Sequence, residues 1–197
     1  MRMRAAEPAV TPLVGANEED RMMAQSLKRG DTAAFEALYS RLKLPLFRFA
    51  LGMCGSHEAA EEALQETFIR FIRKPEGYDS AKGSLDGYLF GMARHVVFRM
   101  MERRKPEVDW DENQDFSIEG TGETPLLVSL EKAERVEAVR SAVLGLPVHY
   151  REVVVLCDLE EMNYEDAARV LECPVGTVRS RLNRARAQLR VRLEMYQ

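Results

Sequence analysis

Apolar residues recur every three or four positions along most of this chain, which is the spacing of one buried face on an α-helix. The clearest stripe, near the C-terminus, consists of Val175, Val178, Leu182, Ala185 and Leu189. A shorter amphipathic segment at 163–171 precedes it, with Asn163 suited to cap its first turn. Only two residues separate this segment from Pro174, so the pattern predicts a helix-turn-helix.

The outer surface of the second predicted helix is basic. Between Pro174 and Leu193 the chain carries six arginines and no acidic residue. Short polar groups and one arginine lie opposite the apolar stripe, namely Thr177, Ser180, Asn183 and Arg184, and they are flanked by Arg179, Arg181 and Arg186. Short polar groups can approach base edges while guanidinium groups reach phosphates, so this helix is predicted to read duplex DNA. The alternative is a solvated basic face on an ordinary bundle helix.

Three more helices are predicted upstream. Asp31 can cap the first, and Pro45 is expected to break or kink it. Gly52 and Gly55 are interpreted as a turn before the second helix, which runs from about residue 56 to 73. Its predicted buried positions are Ala60, Leu64, Phe68, Phe71 and Ile72, and its predicted outer positions are Glu58, Glu61, Glu62, Gln65 and Glu66. From the residues alone, this acidic face is explained by solvation.

The third upstream helix combines aromatic and basic residues. It begins near Ser84, and its predicted buried positions are Leu85, Leu89, Met92, Val96 and Met100. Its outer face carries Arg94, His95, Phe98 and Arg99, with Tyr88 and Phe90 at the edges. Aromatic rings stack on unpaired bases while cations follow the backbone, so this face is suited to single-stranded nucleic acid. Packing of the aromatic residues into the core is the alternative.

Charge divides the 197-residue chain into four parts. The net charge is −4, so positive charge for DNA must be local. Residues 106–130 contain seven acids and no lysine or arginine, which predicts a flexible linker. The expected fold is all-α, with two small helical domains at 17–105 and 131–197 and a flexible tail at 1–16.

Several classes of protein are disfavoured by what the sequence lacks. No apolar run is long enough for a membrane span and no secretory signal is visible, which favours a cytoplasmic protein. The three cysteines, Cys54, Cys157 and Cys173, have no CxxC spacing. No phosphate-binding loop or nucleophile motif is found. We therefore expect no enzymatic activity, no cofactor and no metal site.

Two segments together carry a family resemblance. EEALQETFIRFIR at 61–73, followed by LPVHYREVVVLCDLEEMNYEDAARVLECPVGTVRSRLNRARAQLR at 146–190, resembles a bacterial extracytoplasmic-function sigma factor of the sigma-70 family, and the resemblance covers about 17–193. It implies a region 2 bundle and a region 4 helix-turn-helix on either side of the linker. It also implies a protein that joins core RNA polymerase, recognises the minus-ten and minus-thirty-five promoter elements and promotes DNA melting.

The resemblance assigns expected roles to individual residues. Those matching the face that docks on the β′ clamp helices are Glu62, Gln65, Glu66 and Ile69. Those matching the helix that holds the minus-ten element and its melted non-template strand are Tyr88, Leu89, Arg94, His95, Phe98, Arg99 and, at its end, Arg103. Those matching the minus-thirty-five reader are Thr177, Arg179, Ser180, Arg181, Asn183, Arg184 and Arg186. Further implied partners are the β flap and an anti-sigma factor, which in this family often holds the sigma factor at the membrane.

Some positions depart from the family pattern. His95 stands where asparagine is common, Tyr88 where tryptophan is frequent, and Glu172 where the turn usually has glycine. A left-handed backbone at Glu172 would cost about 1 kcal/mol relative to glycine. Residues 153–155, all valine, favour a strand locally, whereas the resemblance favours a helix.

Two other functions remain as alternatives. A stand-alone helix-turn-helix regulator would bind duplex DNA as a dimer and would not need the acidic helix face. An interaction protein could instead mimic a sigma factor and sequester its inhibitor. Binding to core polymerase separates the first alternative from a sigma factor, and promoter-specific transcription separates the second.

Overall fold

The computed structural model of the protein describes residues 18–103 and 130–194, and side chains in the second range from residue 135 onward. All regular secondary structure in these two ranges is helical, which confirms the all-α prediction. The predicted tail at 1–16 lies outside the described residues, and so does the predicted linker except for Leu130, where a helix begins.

The first unit is a bundle built around one long helix. Its elements are α1 (Glu18–Lys28), α2 (Thr32–Cys54), α3 (His57–Arg73), a short 3₁₀ turn (Pro75–Gly77) and α4 (Leu85–Arg103). The central helix α2 packs against both α3 and α4. Phe49 of α2 and Phe90 of α4 are buried and meet edge to face, with ring centroids 5.7 Å apart. This contact fixes α4 against the centre of the bundle.

The start of α2 at Asp31 agrees with the sequence prediction, but the helix continues through the break predicted at Pro45. The Asp31 side chain accepts hydrogen bonds from the backbone of Ala33 and Ala34, and Gly55 closes the helix in the left-handed conformation. The predicted break at Pro45 is wrong, because α2 continues through it. The core residues Leu42, Leu46 and Phe49 lie on both sides of Pro45, and their burial offsets the loss of one backbone hydrogen bond.

Five further predictions in this unit need correction. Gly52 lies inside α2 rather than in a turn. Ile72 is exposed rather than buried, because it lies one helical step away from Phe71 and therefore faces outward. Phe90 is buried rather than at an edge, and Met92 and Met100 are only partly buried.

The second unit contains the predicted helix-turn-helix. Its elements are α5 (Leu130–Leu144), α6 (Val148–Val154), a π-helical turn (Val155–Leu159), α7 (Tyr164–Val170) and α8 (Val175–Glu194). The three valines at 153–155 are buried and helical, as the family resemblance predicts. Val178, Leu182 and Ala185 bury the apolar stripe of α8 against α6.

The two units pack directly against each other. Helix α7 lies on α4, and both α5 and α6 lie on α2. A Cβ atom on Gly52 would come within 3.0 Å of a methyl group of Val155, so the absence of a side chain at Gly52 permits this close approach. The described parts of the two domains therefore form one closed arrangement.

A buried charge cluster fixes the start of α4. The backbone N–H of Leu85 donates to Asp20 at 3.2 Å, and Arg41 donates to Asp86 at 2.6 Å. Burial raises the pKa of Asp86 from 3.8 to about 6, and the nearby Arg41 opposes this change. A raised pKa means that the fold favours the protonated carboxyl, so stability from this group is fully present below pH 4 and is lost as pH rises through about 6.

We expect the pH dependence of unfolding to change in the Asp86→Asn variant. Between pH 4 and pH 7 the unfolding free energy of the wild type should fall by up to about 3 kcal/mol more than that of the variant. The reason is that a difference of one unit between the folded and unfolded pKa corresponds to about 1.4 kcal/mol. Urea unfolding of both proteins across this range measures the difference. Parallel pH profiles would contradict the assignment to Asp86.

Candidate nucleic-acid and polymerase interfaces

The turn between α7 and α8 has the geometry that its sequence predicts. Asn163 caps α7 by accepting a hydrogen bond from the Asp166 backbone at 2.8 Å. Glu172, which stands where the family usually has glycine, adopts the left-handed conformation with φ 52°. The next N–H, of Cys173, donates to the Ala168 carbonyl at 3.0 Å. The chain therefore leaves α7 at a fixed angle and orients α8.

The outer side of α8 presents polar and basic groups to solvent. Arg179, Ser180, Asn183 and Arg184 are exposed, and Thr177 is half-buried. These five residues are called here the duplex-reading face. Its position opposite the buried stripe agrees with the helical periodicity of the sequence.

Two flanking arginines of α8 are already engaged within the chain. Arg186 donates from two nitrogens to the Asp158 carboxylate, at 3.1 and 2.5 Å. Arg181 is half-buried, and its charge acts on the buried carboxylate of Glu152. A phosphate that binds Arg186 must therefore compete with the Asp158 carboxylate.

The predicted minus-ten surface of α4 is only partly exposed. His95, Arg99 and Arg103 are exposed, whereas Phe98 is half-buried and packs against the core. Leu89 is fully buried, so its predicted contact with DNA is not available in this arrangement. Of the predicted set, these three side chains are accessible to solvent, and His95 lies 3.8 Å from Glu172 of the second unit.

Arg94 is held between an aromatic ring and a carboxylate. Its guanidinium lies 4.9 Å from the Phe98 ring centre and 2.5 Å from Glu152 of α6. On the same helix the Tyr88 ring meets the rings of Phe71 and Tyr78, with centroids 6.4 and 5.6 Å away. Both side chains are therefore packed against neighbouring groups of the fold.

The acidic side of α3 also carries two exposed isoleucines. Glu62 and Gln65 are exposed, and Glu66 is half-buried in an ion pair of 2.6 Å with Arg70. Ile69 is 42% exposed and Ile72 is 53% exposed. Ile72 was missed as a surface residue, although its spacing of three from Ile69 places it on the same side of the helix. The set Glu62, Gln65, Glu66, Ile69 and Ile72 is called here the docking face.

Comparison with known proteins connects these surfaces to a family. The model for sigma-70 region 2 matches residues 38–107, and the model for sigma-70 region 4 matches residues 136–189. The RNA polymerase sigma-H factor of Pseudomonas aeruginosa is 31% identical over 180 residues, which cover 86% of this chain and 91% of that protein. This chain belongs to the extracytoplasmic-function sigma factors.

Other relatives agree with this assignment. The extracytoplasmic-function sigma factor SigE of Mycolicibacterium smegmatis is 31% identical over 172 residues, which cover 81% of this sigma factor and 66% of that protein. A solved structure of CnrH in complex with the cytosolic domain of CnrY shares the fold, with a TM-score of 0.69 and 22% identity over 90% of this chain and 99% of that one. Sigma factors are transcription initiation factors rather than enzymes of the usual kind, and this sigma factor acts in transcription initiation.

The described residues contain neither a membrane-spanning helix nor a metal-binding cluster. None of the helices at 18–103 or 130–194 is long and apolar enough to cross a membrane. In the same part of the chain, no group of three or more His, Cys, Asp or Glu side chains could hold a metal ion.

Replacement of Glu172 by glycine should stabilise this sigma factor by about 1 kcal/mol, because glycine adopts a left-handed backbone without the strain of a Cβ atom. Thermal unfolding measures the effect. The matched control is Glu172→Ala, which removes the carboxylate but keeps the backbone strain and should give no stabilisation. Equal stabilisation by both variants would show that the carboxylate, not the backbone, is unfavourable.

Proposed function

We propose that this sigma factor docks on core RNA polymerase through α3 and directs it to promoters with α8 and α4. The observation that carries the proposal is that one chain exposes two chemically different surfaces on separate units. The duplex-reading face of α8 is basic and polar, whereas the docking face of α3 is acidic and apolar. A stand-alone DNA-binding regulator has no need of the second surface.

The chemistry of the duplex-reading face supports recognition of the minus-thirty-five element. Asn183 lies near the centre of the face and has the amide that can bond two atoms of adenine in a major groove. Arg179 lies at the flank and can reach a backbone phosphate. The net charge of −4 disfavours strong binding to DNA by the free chain, so polymerase is the expected source of additional affinity.

The exposed residues of α4 support contact with the minus-ten element. His95, Arg99 and Arg103 provide groups that can bind the phosphates or bases of a melted non-template strand. Tyr88 and Phe98 provide aromatic rings beside them, both of which are half-buried. Stacking on such rings would offset part of the cost of unpairing a base, which is a few kcal/mol.

The docking face fits an interface with another protein. Exposed isoleucines supply apolar area that is removed from water on binding, while the carboxylates around them favour a basic partner. We assign this partner as the clamp helices of the polymerase β′ subunit and assign a further contact of the second unit to the β flap. Action on polymerase places the protein in the bacterial cytoplasm.

An anti-sigma factor is a further proposed partner. A solved structure of a sigma factor in complex with the anti-sigma factor NepR from Bartonella quintana has the same fold, with a TM-score of 0.62 and 23% identity over 81% of this chain and 96% of that one. By analogy, such a partner would hold this sigma factor inactive, and a membrane-bound partner would hold it at the membrane.

We expect Ile69→Ser combined with Ile72→Ser to weaken binding to core polymerase by about tenfold or more, because each substitution removes exposed apolar area from the interface. The matched control is Met22→Ser, which removes an exposed apolar side chain of α1 that is not part of the docking face. Glu62→Lys with Glu66→Lys should weaken binding as well. Retention of full polymerase binding by all these variants would contradict the assignment of the docking face, whereas no polymerase binding by the wild type would favour the stand-alone regulator.

Substitutions in α8 should separate base reading from phosphate binding. Asn183→Ala is expected to reduce discrimination between promoter and mutated minus-thirty-five sequences by about 1–3 kcal/mol. Arg179→Ala should instead weaken binding to all sequences and lower the slope of log affinity against log salt by about 0.9. Holoenzyme binding to both duplexes across a salt series measures the two effects. Equal behaviour of the two variants would contradict this division of roles.

A further inference from the structure

The loop that leads into α4 is closed by hydrogen bonds of its own. This loop, residues 79–83, is called here the entry loop. The buried Tyr78 side chain, just before the loop, donates from its hydroxyl to the Gly83 carbonyl at 2.9 Å. Inside the loop, the Asp79 carboxylate accepts a hydrogen bond from the backbone N–H of Ala81 at 3.0 Å. Both ends of the entry loop are therefore held together by the chain itself.

The end of the entry loop is anchored by a different helix. The backbone N–H of Leu85, the first residue of α4, donates to the Asp20 carboxylate of α1 at 3.2 Å. One residue earlier, the Ser84 hydroxyl accepts a hydrogen bond from the Gly87 N–H at 3.1 Å. The first N–H groups of a helix have no partners within it, and Asp and Ser side chains can supply them. Helix α1 therefore fixes the point at which the entry loop becomes α4.

Charges around Asp20 hold these two anchors in place. Arg41 of α2 lies 3.8 Å from the Asp20 carboxylate and 2.6 Å from that of Asp86, so one cation binds two buried carboxylates. Burial, together with the charges of Asp20 and Asp86, raises the pKa of Tyr78 to about 12. The Tyr78 hydroxyl therefore keeps its proton near neutral pH and remains a donor to the loop.

The middle of the entry loop is open to solvent. Asp79, Ala81 and Lys82 are exposed, whereas the first two residues of α4 are buried. The half-buried Tyr88 ring lies beside the anchor of the loop, with its centroid 5.6 Å from that of the Tyr78 ring. An unpaired base needs an aromatic or apolar surface for its face and polar groups for its edge. Tyr88 and the entry loop together provide both.

A loop of fixed shape binds a base more tightly than a free loop. Ordering a free loop on binding costs conformational entropy, and that cost is absent when the loop is already ordered. Asp20 is 6% exposed and Tyr78 is 4% exposed, so neither side chain can reach DNA itself. Any contribution that they make to DNA binding must act through the entry loop.

We propose that Asp20 and Tyr78 are positioning residues for promoter opening, because they hold the entry loop beside Tyr88 in the shape that receives one unpaired base of the minus-ten element. This inference rests on the proposed function of α4 as the reader of that element. It goes beyond that function because it assigns a role in base capture to a buried residue of α1 and to a buried tyrosine outside α4.

Binding of the holoenzyme to fork DNA tests the proposal. The probe is a promoter found by run-off transcription, with its non-template strand unpaired across the minus-ten element. In a matched series of probes, each unpaired base in turn is replaced by an abasic site. Tyr78→Phe keeps the ring and removes the hydroxyl that binds Gly83. It should weaken binding to the intact fork by about threefold to tenfold, the effect of one lost hydrogen bond. The affinity for the fork that lacks the captured base should stay unchanged.

This pattern distinguishes positioning from a general loss of stability, because an unstable protein would bind every probe more weakly. Equal weakening across the intact fork and all abasic forks, or no weakening of any, would overturn the inference. Failure of the proposed function gives a different result. In that case the wild-type holoenzyme would bind the intact fork no better than a fork of unrelated sequence, and the inference would fail with it.

Substitutions of Asp20 test the anchor at the start of α4. Asp20→Ala removes the acceptor for the Leu85 N–H and should have the same base-specific effect, about threefold to tenfold. Asp20→Asn keeps an acceptor oxygen and should restore most of the lost affinity. The matched control is Glu19→Ala, which removes an exposed carboxylate from the same turn of α1 and should bind every fork like the wild type. Wild-type binding by Asp20→Ala, or equal losses in Asp20→Asn and Asp20→Ala, would overturn the role of Asp20.

Discussion

The C-terminal end of α2 binds two arginines of the second unit and thereby joins the two units. Arg151 of α6 is 2% exposed and donates to the Met53 carbonyl at 2.6 Å, while Arg140 of α5 donates to the Gly55 carbonyl at 3.2 Å. The last carbonyls of a helix carry partial negative charge and lack partners within the helix, so they favour cations. Two arginines of the second unit thus bind the end of the central helix of the first.

The hydrogen bonds of Arg151 also position the neighbouring residues of α6 and of the π-helical turn. Arg151 also donates to the carbonyls of Leu144 and Leu146, which fixes the start of α6. The following residue in sequence, Glu152, is thereby directed toward α4, and one turn further Val155 packs on Gly52. The contacts at the end of α2 therefore contribute to the position of the helix-turn-helix over the proposed minus-ten surface, together with the packing of α7 on α4. The docking face on α3 lies outside this contact and remains exposed.

Local chemistry in the sequence predicted several features well. The caps at Asp31 and Asn163 and the buried stripe of α8 each depend on residues close together in the chain. The failures concern contacts made elsewhere in the fold. Glycine is typical of turns, and the reason for Gly52 inside a helix, its close contact with Val155, lies about a hundred residues away in the sequence. At Pro45 the helix continues because core residues on both sides of the proline are buried.

For the candidate surfaces, too, the local features were predictable and the contacts between distant residues were not. Periodicity placed the residues of α8 on one face, and family resemblance supplied the roles of α3 and α4. Neither could reveal that Arg94 pairs with Glu152, because the two residues are 58 positions apart and each alone is an ordinary charged residue of a helix. Ile72 fails for a different reason, since an isoleucine next to a buried phenylalanine fits the pattern of a core residue although it faces solvent.

Run-off transcription by the wild-type chain and core polymerase, on fragmented genomic DNA, tests the central claim most directly. The claim is that this chain selects promoters only as a subunit of polymerase. It predicts discrete transcripts whose start sites share two upstream elements at constant spacing, together with weak binding of the same fragments by the free chain. Absence of such transcripts, or equally tight and specific binding of those fragments without polymerase, would contradict it.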